Sequence, residues 1–416
     1  MNRQTMQKFK QTEIGMIPED WEFKELEKHA KIIMGQSPES RYYNLNGYGK
    51  LFLQGIKTFG HLYPNYDTWT TKVTKLAKKG SVLLSVRAPV GEVNFANQDV
   101  CIGRGLMSID GENNKFIFYL FKGFKGYVVN KETGTVYGSV THDDIAKLKF
   151  PFPPLPEQSA IAKILSDLDA KIELNQQMNK TLEEIGKAIF KHWFVDFEFP
   201  NDEGKPYKSS GGEMVFNKEL GKEIPKGWKI SNIAKDFNLV MGQSPPGFSY
   251  NEVGEGVVFF QGKTDFGNRF PKIRMFCTEP TRFAKKGDTL VSVRAPVGDV
   301  NFALQNCCIG RGLSAIRHKS GALSYTFYLM RNLKPIFESF EAEGTVFGSM
   351  SKEGFEQIKI ICPTTEIVSM FENIIAPIDK KIEDNFKQIL TLSSIRDSLL
   401  PKLMSGKIRV PIEEKP

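Results

Sequence analysis

The sequence predicts an α/β protein with two similar domains built on irregular sheets, each followed by a long helix, and with the two helices paired antiparallel. One observation is a long internal repeat: Ser81–Leu106 matches Asp288–Leu313 without gaps at 19 of 26 positions, 207 residues later. Another is the short β-branched runs between Gly- and Pro-rich turns in each copy. The last is that each copy ends in a glycine-poor segment with heptad spacing of apolar residues.

The length of the repeat indicates the number of domains. A repeat of about 200 residues is too long for a solenoid unit, and 416 residues leave room for two domains with separate cores. The predicted segments are a first domain (1–155), a first long helix (156–200), a linker (201–215), a second domain (216–362) and a second long helix with its tail (363–416).

Within each domain, one β-branched run follows a Lys-Lys-Gly sequence. We predict that Val82–Val86 and Thr289–Val293 are strands, because both begin just after this turn. Phe116–Phe121 and Tyr325–Met330 are apolar enough to be buried, and their length does not decide between helix and strand.

The segments after the two domains carry heptad seams. The seam residues are Ile161, Leu165, Leu168, Ile172 and Asn175 in the first segment and Ile375, Ile378, Ile382 and Asn385 in the second. Asn175 and Asn385 occupy equivalent positions, where a buried asparagine costs stability but fixes register. We therefore predict that the helices pair with each other; the alternative is that each lies only on its own domain. Pro377 predicts that the second helix starts or kinks there.

Composition points to a cytoplasmic protein. Apolar residues make up 40% of the chain and charged residues 25%, and no run approaches 18 consecutive apolar residues. The N-terminus lacks the apolar core of a signal peptide. The five cysteines include no C-x-x-C pair, so we expect neither a zinc site nor a disulfide framework.

Positive charge is concentrated in the two domains. Residues 1–155 and residues 216–362 each carry a net charge of +6, whereas the remaining segments together carry −4. Two basic domains separated by mildly acidic segments favour a polyanion that is bound at two places. An ordinary solvated surface is the competing interpretation of the same balance.

Several motifs together resemble one family. They are the duplicated S-V-R-A-P-V-G and I-G-R-G-L, the P-L-P-E-Q turn, the D-A-K-I-E-L-N helix, the W-F-V-D-F-E-F-P exit and the terminal R-D-S-L-L-P-K-L-M-S-G. In this order, from about Ile14 to Val410, they resemble the DNA-specificity subunit of type I restriction-modification systems. The sequence departs from the family pattern at Pro377 and at the P-T-T-E that stands where the first copy has P-L-P-E.

The resemblance implies a fold, partners and cofactors. It implies two target-recognition domains that read double-stranded DNA, and two methyltransferase subunits bound to the antiparallel helices. Restriction and translocase subunits would join for cleavage. S-adenosylmethionine, Mg²⁺ and ATP are expected on those partner subunits only, so this chain is expected to hold no cofactor, no metal and no catalytic residue.

A direct search for catalytic motifs agrees with that expectation. No G-x-G-x-x-G or G-x-x-x-x-G-K-[ST] is present. Ser244-Pro245-Pro246 begins like an amino-methyltransferase motif, but Gly247 stands where an aromatic residue would stack on a flipped base. The alternatives are a DNA methyltransferase or nuclease with its own recognition domains, and a two-domain scaffold that binds no nucleic acid.

Arginines beside glycine or proline turns are the first candidates for DNA contacts. Flanking glycines would let Arg104 and Arg311 approach a surface closely, and Arg87 and Arg294 stand at the ends of predicted strands. A guanidinium can bind guanine O6 and N7, or a phosphate, through two hydrogen bonds. The alternative is that each arginine braces its own loop onto carboxylates.

Amides and hydroxyls in turns form a second set of candidates, suited to adenine edges or phosphates. These candidates are Gln36, Ser37, Gln54, Thr135, Tyr137 and Ser139 in the first copy and Gln243, Ser244, Gln261, Thr345 and Ser349 in the second. Ordinary loop capping or packing is the competing interpretation of each.

Differences between the copies would carry different base preferences. The sequence Ile-Lys-Thr at 56–58 becomes Lys-Thr-Asp at 263–265, and His-Leu-Tyr at 61–63 becomes Asn-Arg-Phe at 268–270. We therefore add Lys57, Lys263 and Arg269 to the predicted DNA-contacting residues. Neutral surface drift would explain the same exchanges.

Overall fold

The computed structural model describes residues 8–131, 138–342 and 348–411. Its contacts divide the chain into two compact units: unit 1 is Met1–Gln176 with Lys387–Pro416, and unit 2 is Gln177–Phe386. Each unit therefore contains one domain and a part of both long helices.

Unit 1 contains two main sheets. The strands of its antiparallel four-stranded sheet, in spatial order, are Val93–Phe95, Val82–Ser85, Leu106–Gly111 and Ala30–Met34. Those of its mixed five-stranded sheet are Tyr43–Asn44, Trp69–Thr70, Lys50–Leu53, Val100–Ile102 and Leu76–Ala77. Two-stranded pairs are formed by Phe9–Thr12 with Gly15–Pro18 and by Glu22–Glu25 with Lys149–Phe152.

Unit 2 repeats this arrangement. Its four-stranded sheet has the order Phe237–Met241, Leu313–His318, Thr289–Ser292 and Val300–Phe302. Its five-stranded sheet has the order Tyr250–Asn251, Met275–Cys277, Val257–Phe260, Cys307–Ile309 and Phe283–Ala284. The two-stranded pairs are Met214–Asn217 with Lys222–Pro225 and Lys229–Asn232 with Lys359–Cys362.

Helices cover the sheets and connect the domains. The short α-helices are Asn114–Gly123, Lys125–Val129, His142–Ala146, Ile233–Asp236, Leu323–Asn332, Lys334–Ala342 and Lys352–Glu356. Single 3₁₀ turns are Leu26–Lys28, Ser40–Tyr42, Ile56–Thr58, Gly247–Ser249 and Lys263–Asp265. The first long helix is Leu155–Phe194 and the second is Thr365–Met404. The undecided apolar runs 116–121 and 325–330 are thus helical, and they are buried as expected.

The core of each unit includes residues from both long helices. In unit 1, Ile161 and Leu165 of the first helix are buried in one cluster with Leu403 and Met404 of the second. In unit 2 the corresponding cluster joins Phe190, Trp193 and Phe194 to Phe371 and Ile375. The seam residues near the start of each helix therefore pack on a domain as well as beside the partner helix.

The predicted antiparallel pairing is confirmed by contacts within each unit. In unit 1, the Asn175 amide donates to Gln388 Oε1 at 3.1 Å. In unit 2, the Asn385 amide donates to Asn179 Oδ1 at 2.9 Å. Both seam asparagines are buried, and these bonds satisfy their amide N–H groups, whereas each Oδ1 is buried without a hydrogen-bond partner in the described part of the chain.

Pro377 does not start the second helix. That helix is continuous from Thr365 to Met404, so the expectation of a start at the proline is wrong. Pro377 lies on the exposed face of the helix, where water can satisfy the carbonyl that loses its donor. Among the residues that the structure describes, no helix combines the length and apolar content needed to cross a membrane.

Candidate nucleic-acid interface

Three loops with predicted DNA-contacting residues meet in unit 1. We call them the Gln36 loop (residues 35–38), the Gln54 loop (54–58) and the Arg104 loop (103–105). The Gln36 N–H donates to the carbonyl of Ile102, which directly precedes the Arg104 loop, at 2.9 Å. The Gly105 N–H donates to the carbonyl of Gln54 at 3.2 Å. Residues far apart in the sequence are thus held at one place by main-chain bonds.

Ser37 joins all three loops through its hydroxyl. Its Oγ accepts a hydrogen bond from the Arg104 N–H at 3.1 Å and donates to Gln54 Oε1 at 3.0 Å. The Arg104 side chain is exposed, and it forms no hydrogen bond or ion pair with the residues that the structure describes. The serine therefore orients the loop while the guanidinium stays available to a ligand.

Glycine is required where the loops approach each other most closely. A Cβ on Gly35 would lie 2.2 Å from the carbonyl oxygen of Gly103, and a Cβ on Gly105 would lie 2.6 Å from that of Gln54. Both neighbours are main-chain atoms, so neither can move without displacing a loop. The I-G-R-G-L motif is explained by this packing.

We expect Gly35→Ala to lower the free energy of unfolding by about 2–3 kcal/mol, because the added methyl group overpacks rigid main chain. Gly55→Ala is the matched control, since a Cβ there meets no atom within 4 Å. That variant should stay within about 0.5 kcal/mol of the parent protein. Urea denaturation measures both, and equal stability of the two variants would contradict the close-approach explanation.

The loops border an open cleft of about 560 Å³. Ser37, Gln54, Lys57 and Arg104 line it, together with Asp67. Four predicted contact residues therefore share one concave surface that offers a cation, a guanidinium, an amide and a hydroxyl. Such a set can bind phosphates and base edges.

Unit 2 has the same loop architecture. The Gln243 N–H donates to the carbonyl of Ile309 at 3.0 Å, and the Arg311 N–H donates to Ser244 Oγ at 3.3 Å. Arg311 is exposed, and its guanidinium has no partner within residues 8–131, 138–342 and 348–411. Each unit thus presents one unoccupied arginine on a glycine-flanked loop.

The second pair of predicted arginines lies next to these loops. Arg87 is exposed, and the preceding Val86 donates its N–H to the carbonyl of Gly105 at 3.0 Å. Arg294 is exposed in the equivalent segment of unit 2. Arg87 forms an isolated β-bridge with Ser139, and Arg294 forms one with Ser349. The predictions for Thr135, Tyr137 and Thr345 lie outside the described residues.

A charge reversal that the sequence analysis did not single out distinguishes the two interfaces. Asp67 lines the cleft of unit 1, whereas Arg274, 207 positions later, lines a cleft of about 290 Å³ in unit 2 together with Gln261. Arg274 Nε donates to the buried Asp265 at 3.1 Å, and Asp265 accepts from the Gln261 N–H at 2.7 Å. The reversal is visible once the copies are aligned.

Lys263 is held by a carboxylate of its own unit. Its ammonium lies 2.5 Å from Asp299, which Lys334 also contacts at 3.1 Å. Burial raises the pKa of the Asp299 carboxyl, but the two ammonium groups lower that pKa by more than burial raises it. The net shift is therefore downward. Lys263 remains half exposed.

Arg269 is not a surface residue, which corrects one prediction. Its side chain is 3% exposed and lies 2.6 Å from Asp379 of the second long helix. Its guanidinium also stacks over Phe327 at 4.1 Å and donates to the Tyr328 hydroxyl. Because these contacts bury and occupy the group, Arg269 does not belong with the DNA-contacting residues. In the described part of the chain, no cluster of three or more His, Cys, Asp or Glu is placed to hold a metal ion.

Comparison with known proteins gives consistent results. The family model described as the type I restriction modification DNA specificity domain matches residues 18–184 and again residues 225–392. The type I restriction enzyme MjaX specificity subunit of Methanocaldococcus jannaschii is 32% identical, with 97% of both chains covered. The MjaIX specificity subunit of the same organism is 28% identical, with 97% of this chain and 96% of the relative covered. A crystal structure of the type I S subunit from M. genitalium has the same fold, with a TM-score of 0.64 at 16% identity and coverage of 97% and 98%.

Proposed function

Because the chain belongs to the type I restriction-modification DNA specificity family, we propose that it is the non-catalytic subunit that selects the DNA target of a methyltransferase and endonuclease complex. One observation carries this proposal: Arg104 and Arg311 are exposed, have no partner in the described part of the chain, and stand on equivalent rigid loops. Two unpaired guanidiniums on equivalent, glycine-flanked loops support binding to an acceptor outside the protein.

We propose that the target is bipartite. Two basic domains, each with one arginine loop, suit two separate half-sites on double-stranded DNA. Because the long helices are antiparallel, the repeats should meet DNA in opposite directions. The half-sites should therefore resemble inverted copies that differ at a base or two, with unread bases between them. The Asp67 and Arg274 exchange is our candidate for the difference in base preference.

We also propose that two methyltransferase subunits dock on the long helices. The two helices expose matching isoleucines, Ile164 with Ile374 and Ile185 with Ile395, each pair 210 positions apart. Exposed apolar side chains at equivalent positions suit two copies of one partner. S-adenosylmethionine, Mg²⁺ and ATP then belong to the partner subunits, and this chain holds no cofactor.

Reconstitution tests the function. The isolated chain should bind DNA weakly and should neither methylate nor cleave it. With its cognate methyltransferase it should form a complex of one copy to two, which mass photometry measures. Ile164→Asp or Ile374→Asp should reduce that complex to one copy of each subunit, because a charge replaces one apolar contact. Ala170→Asp, at an exposed neutral position of the same helix, adds the same single negative charge and is the control for the charge itself.

The position of methylation in host DNA shows whether the target is bipartite. A continuous motif, or halves that are unrelated when one is inverted, contradicts the proposed symmetry. Methyl transfer from labelled S-adenosylmethionine by the isolated chain contradicts the non-catalytic role and favours the alternative, a self-contained methyltransferase. A stable one-to-one complex at saturating methyltransferase contradicts the two docking surfaces.

A further inference from the structure

In each unit a carboxylate of a long helix lies at an equivalent, largely buried place. In unit 1 it is Asp169, fully buried, which accepts a hydrogen bond from the Tyr119 hydroxyl at 2.8 Å. In unit 2 it is Asp379, 210 positions later, which accepts one from the Tyr328 hydroxyl at 3.3 Å. A buried carboxylate needs a cation close by, because removing one member of a buried ion pair leaves an uncompensated charge.

The cation comes from a different segment in each unit. In unit 1, Arg396 of the second long helix places Nη1 2.6 Å from Asp169 Oδ1. In unit 2, Arg269 from the domain itself places Nη2 2.6 Å from Asp379 Oδ1. Each guanidinium forms an ion pair with the equivalent carboxylate, but one belongs to the second long helix and the other to a domain.

The residue that corresponds to each arginine in the other unit is small or apolar. Leu62 corresponds to Arg269, since the Leu62 carbonyl accepts from Phe95 N–H and the Arg269 carbonyl from Phe302 N–H, each at 2.8 Å. Gly186 corresponds to Arg396, and a Cβ on it would lie 2.1 Å from the Tyr328 hydroxyl. In unit 1 the arginine is therefore on the long helix and the domain has a leucine. In unit 2 the arginine is on the domain and the long helix has a glycine.

A second contact, after the ends of the long helices, also differs between the units. Arg409, after the second long helix, contacts the buried Glu157 at 2.6 Å and Asp20 at 2.9 Å in unit 1. Phe199, 210 positions earlier, instead stacks on Trp228 in unit 2, with ring centroids 5.1 Å apart. The segment after the second long helix thus contacts the first domain through an arginine. The segment after the first long helix contacts the second domain through a phenylalanine.

We propose that these contacts form a pairing code that makes the two repeats complementary and prevents like repeats from pairing. A first domain that met another copy of the first helix would face Gly186 and Phe199. Glu157 would then be buried without a cation, and Asp169 would keep only the His61 imidazole, 3.6 Å away. A second domain that met another copy of the second helix would have two guanidiniums for one carboxylate. The segment that the first domain accepts is therefore the end of the second long helix and not the end of the first. The inference does not depend on DNA binding.

A double-mutant cycle in the full-length chain tests the exchange of the arginine. Arg396→Leu should lower the midpoint of thermal unfolding by roughly 10 °C, because Asp169 loses its arginine and keeps only the more distant His61. Leu62→Arg alone should also lower it, since a second guanidinium then faces one carboxylate. The double variant should recover at least half of the loss, because the arginine that faces the carboxylate is then carried by the domain, as it is in unit 2. Lys402→Leu, an exposed cation on the same helix, should leave the midpoint unchanged.

A chimera tests the selectivity itself. In the full chain, residues 387–411 are replaced by a copy of residues 177–201, which puts glycine and phenylalanine at positions 396 and 409. We expect a lower unfolding midpoint, and recovery in a second chimera that keeps only Arg396 and Arg409 of the original segment. If the first chimera is as stable as the parent, if the two arginines restore nothing, or if the double variant of the cycle is no better than Arg396→Leu, the pairing code is wrong. Failure of the first chimera to fold is consistent with the code only when the arginines restore folding.

Discussion

Replacing Arg104 with alanine is expected to weaken binding at one half of the target by about 5- to 150-fold and to leave the other half-site as it is in the parent complex. This factor corresponds to the loss of about 1–3 kcal/mol for a bidentate arginine–guanine contact. Arg311→Ala should give the same loss at the opposite half-site. The expectation rests on the exposure of both guanidiniums and on the loops that hold them.

The measurement is competition binding by the reconstituted complex. Duplexes with either the first or the second half-site altered show which half each variant still discriminates. Lys24→Ala is the control for a lost positive charge in the same domain, because Lys24 lies on the strand Glu22–Glu25 and does not line the cleft. An equal loss for every sequence, together with a smaller salt dependence, would indicate a phosphate contact and would contradict base reading. A variant that binds like the parent would remove Arg104 from the interface.

Most of the fold could be predicted because the repeat and the heptads are recognised from residue types and their spacing alone. The two domains, the strands at 82–85 and 289–292 and the paired helices follow from spacing and from alignment of the copies. The partners of Asn175 and Asn385 could not be predicted, because each asparagine bonds a residue other than its equivalent in the repeat. Pro377 was misleading, since the cost of an interior proline depends on whether water can reach the freed carbonyl.

The candidate interface was only partly predictable, because its contacts join segments that are far apart in the sequence. The glycines beside Arg104 indicated close approach, but nothing local shows that the Gln54 loop is the one approached. Arg104 and Arg269 both appear as loop arginines in the sequence. Only the structure shows that Arg269 reaches a largely buried carboxylate more than 100 positions away, at Asp379. The charge reversal between Asp67 and Arg274 was accessible from the sequence, and a residue-by-residue comparison of the repeats would have found it.

The largest effect is expected from lengthening both long helices. The boundary between the two units crosses both helices, after Gln176 and after Phe386. If the helices set the distance between the half-sites, one added heptad in each lengthens them by about 10.5 Å, at about 1.5 Å per residue. That length equals about three base pairs, which also turn the DNA by about a third of a helical turn. Such a variant should lose specific binding to the original target by about 1,000-fold or more and keep nonspecific binding.

Three added heptads in each helix should restore specific recognition with a longer spacer. Their length, about 31.5 Å, is close to the 34–36 Å of one DNA turn, so both half-sites again face the same side of the duplex. Methylation mapping should then show the same half-sites separated by about nine to ten more unread base pairs. Adding the residues to one helix alone is the control, and it should destabilise the protein because the seam asparagines lose their partners. If matched additions leave the spacer unchanged, the distance between the half-sites is set by something other than the helices.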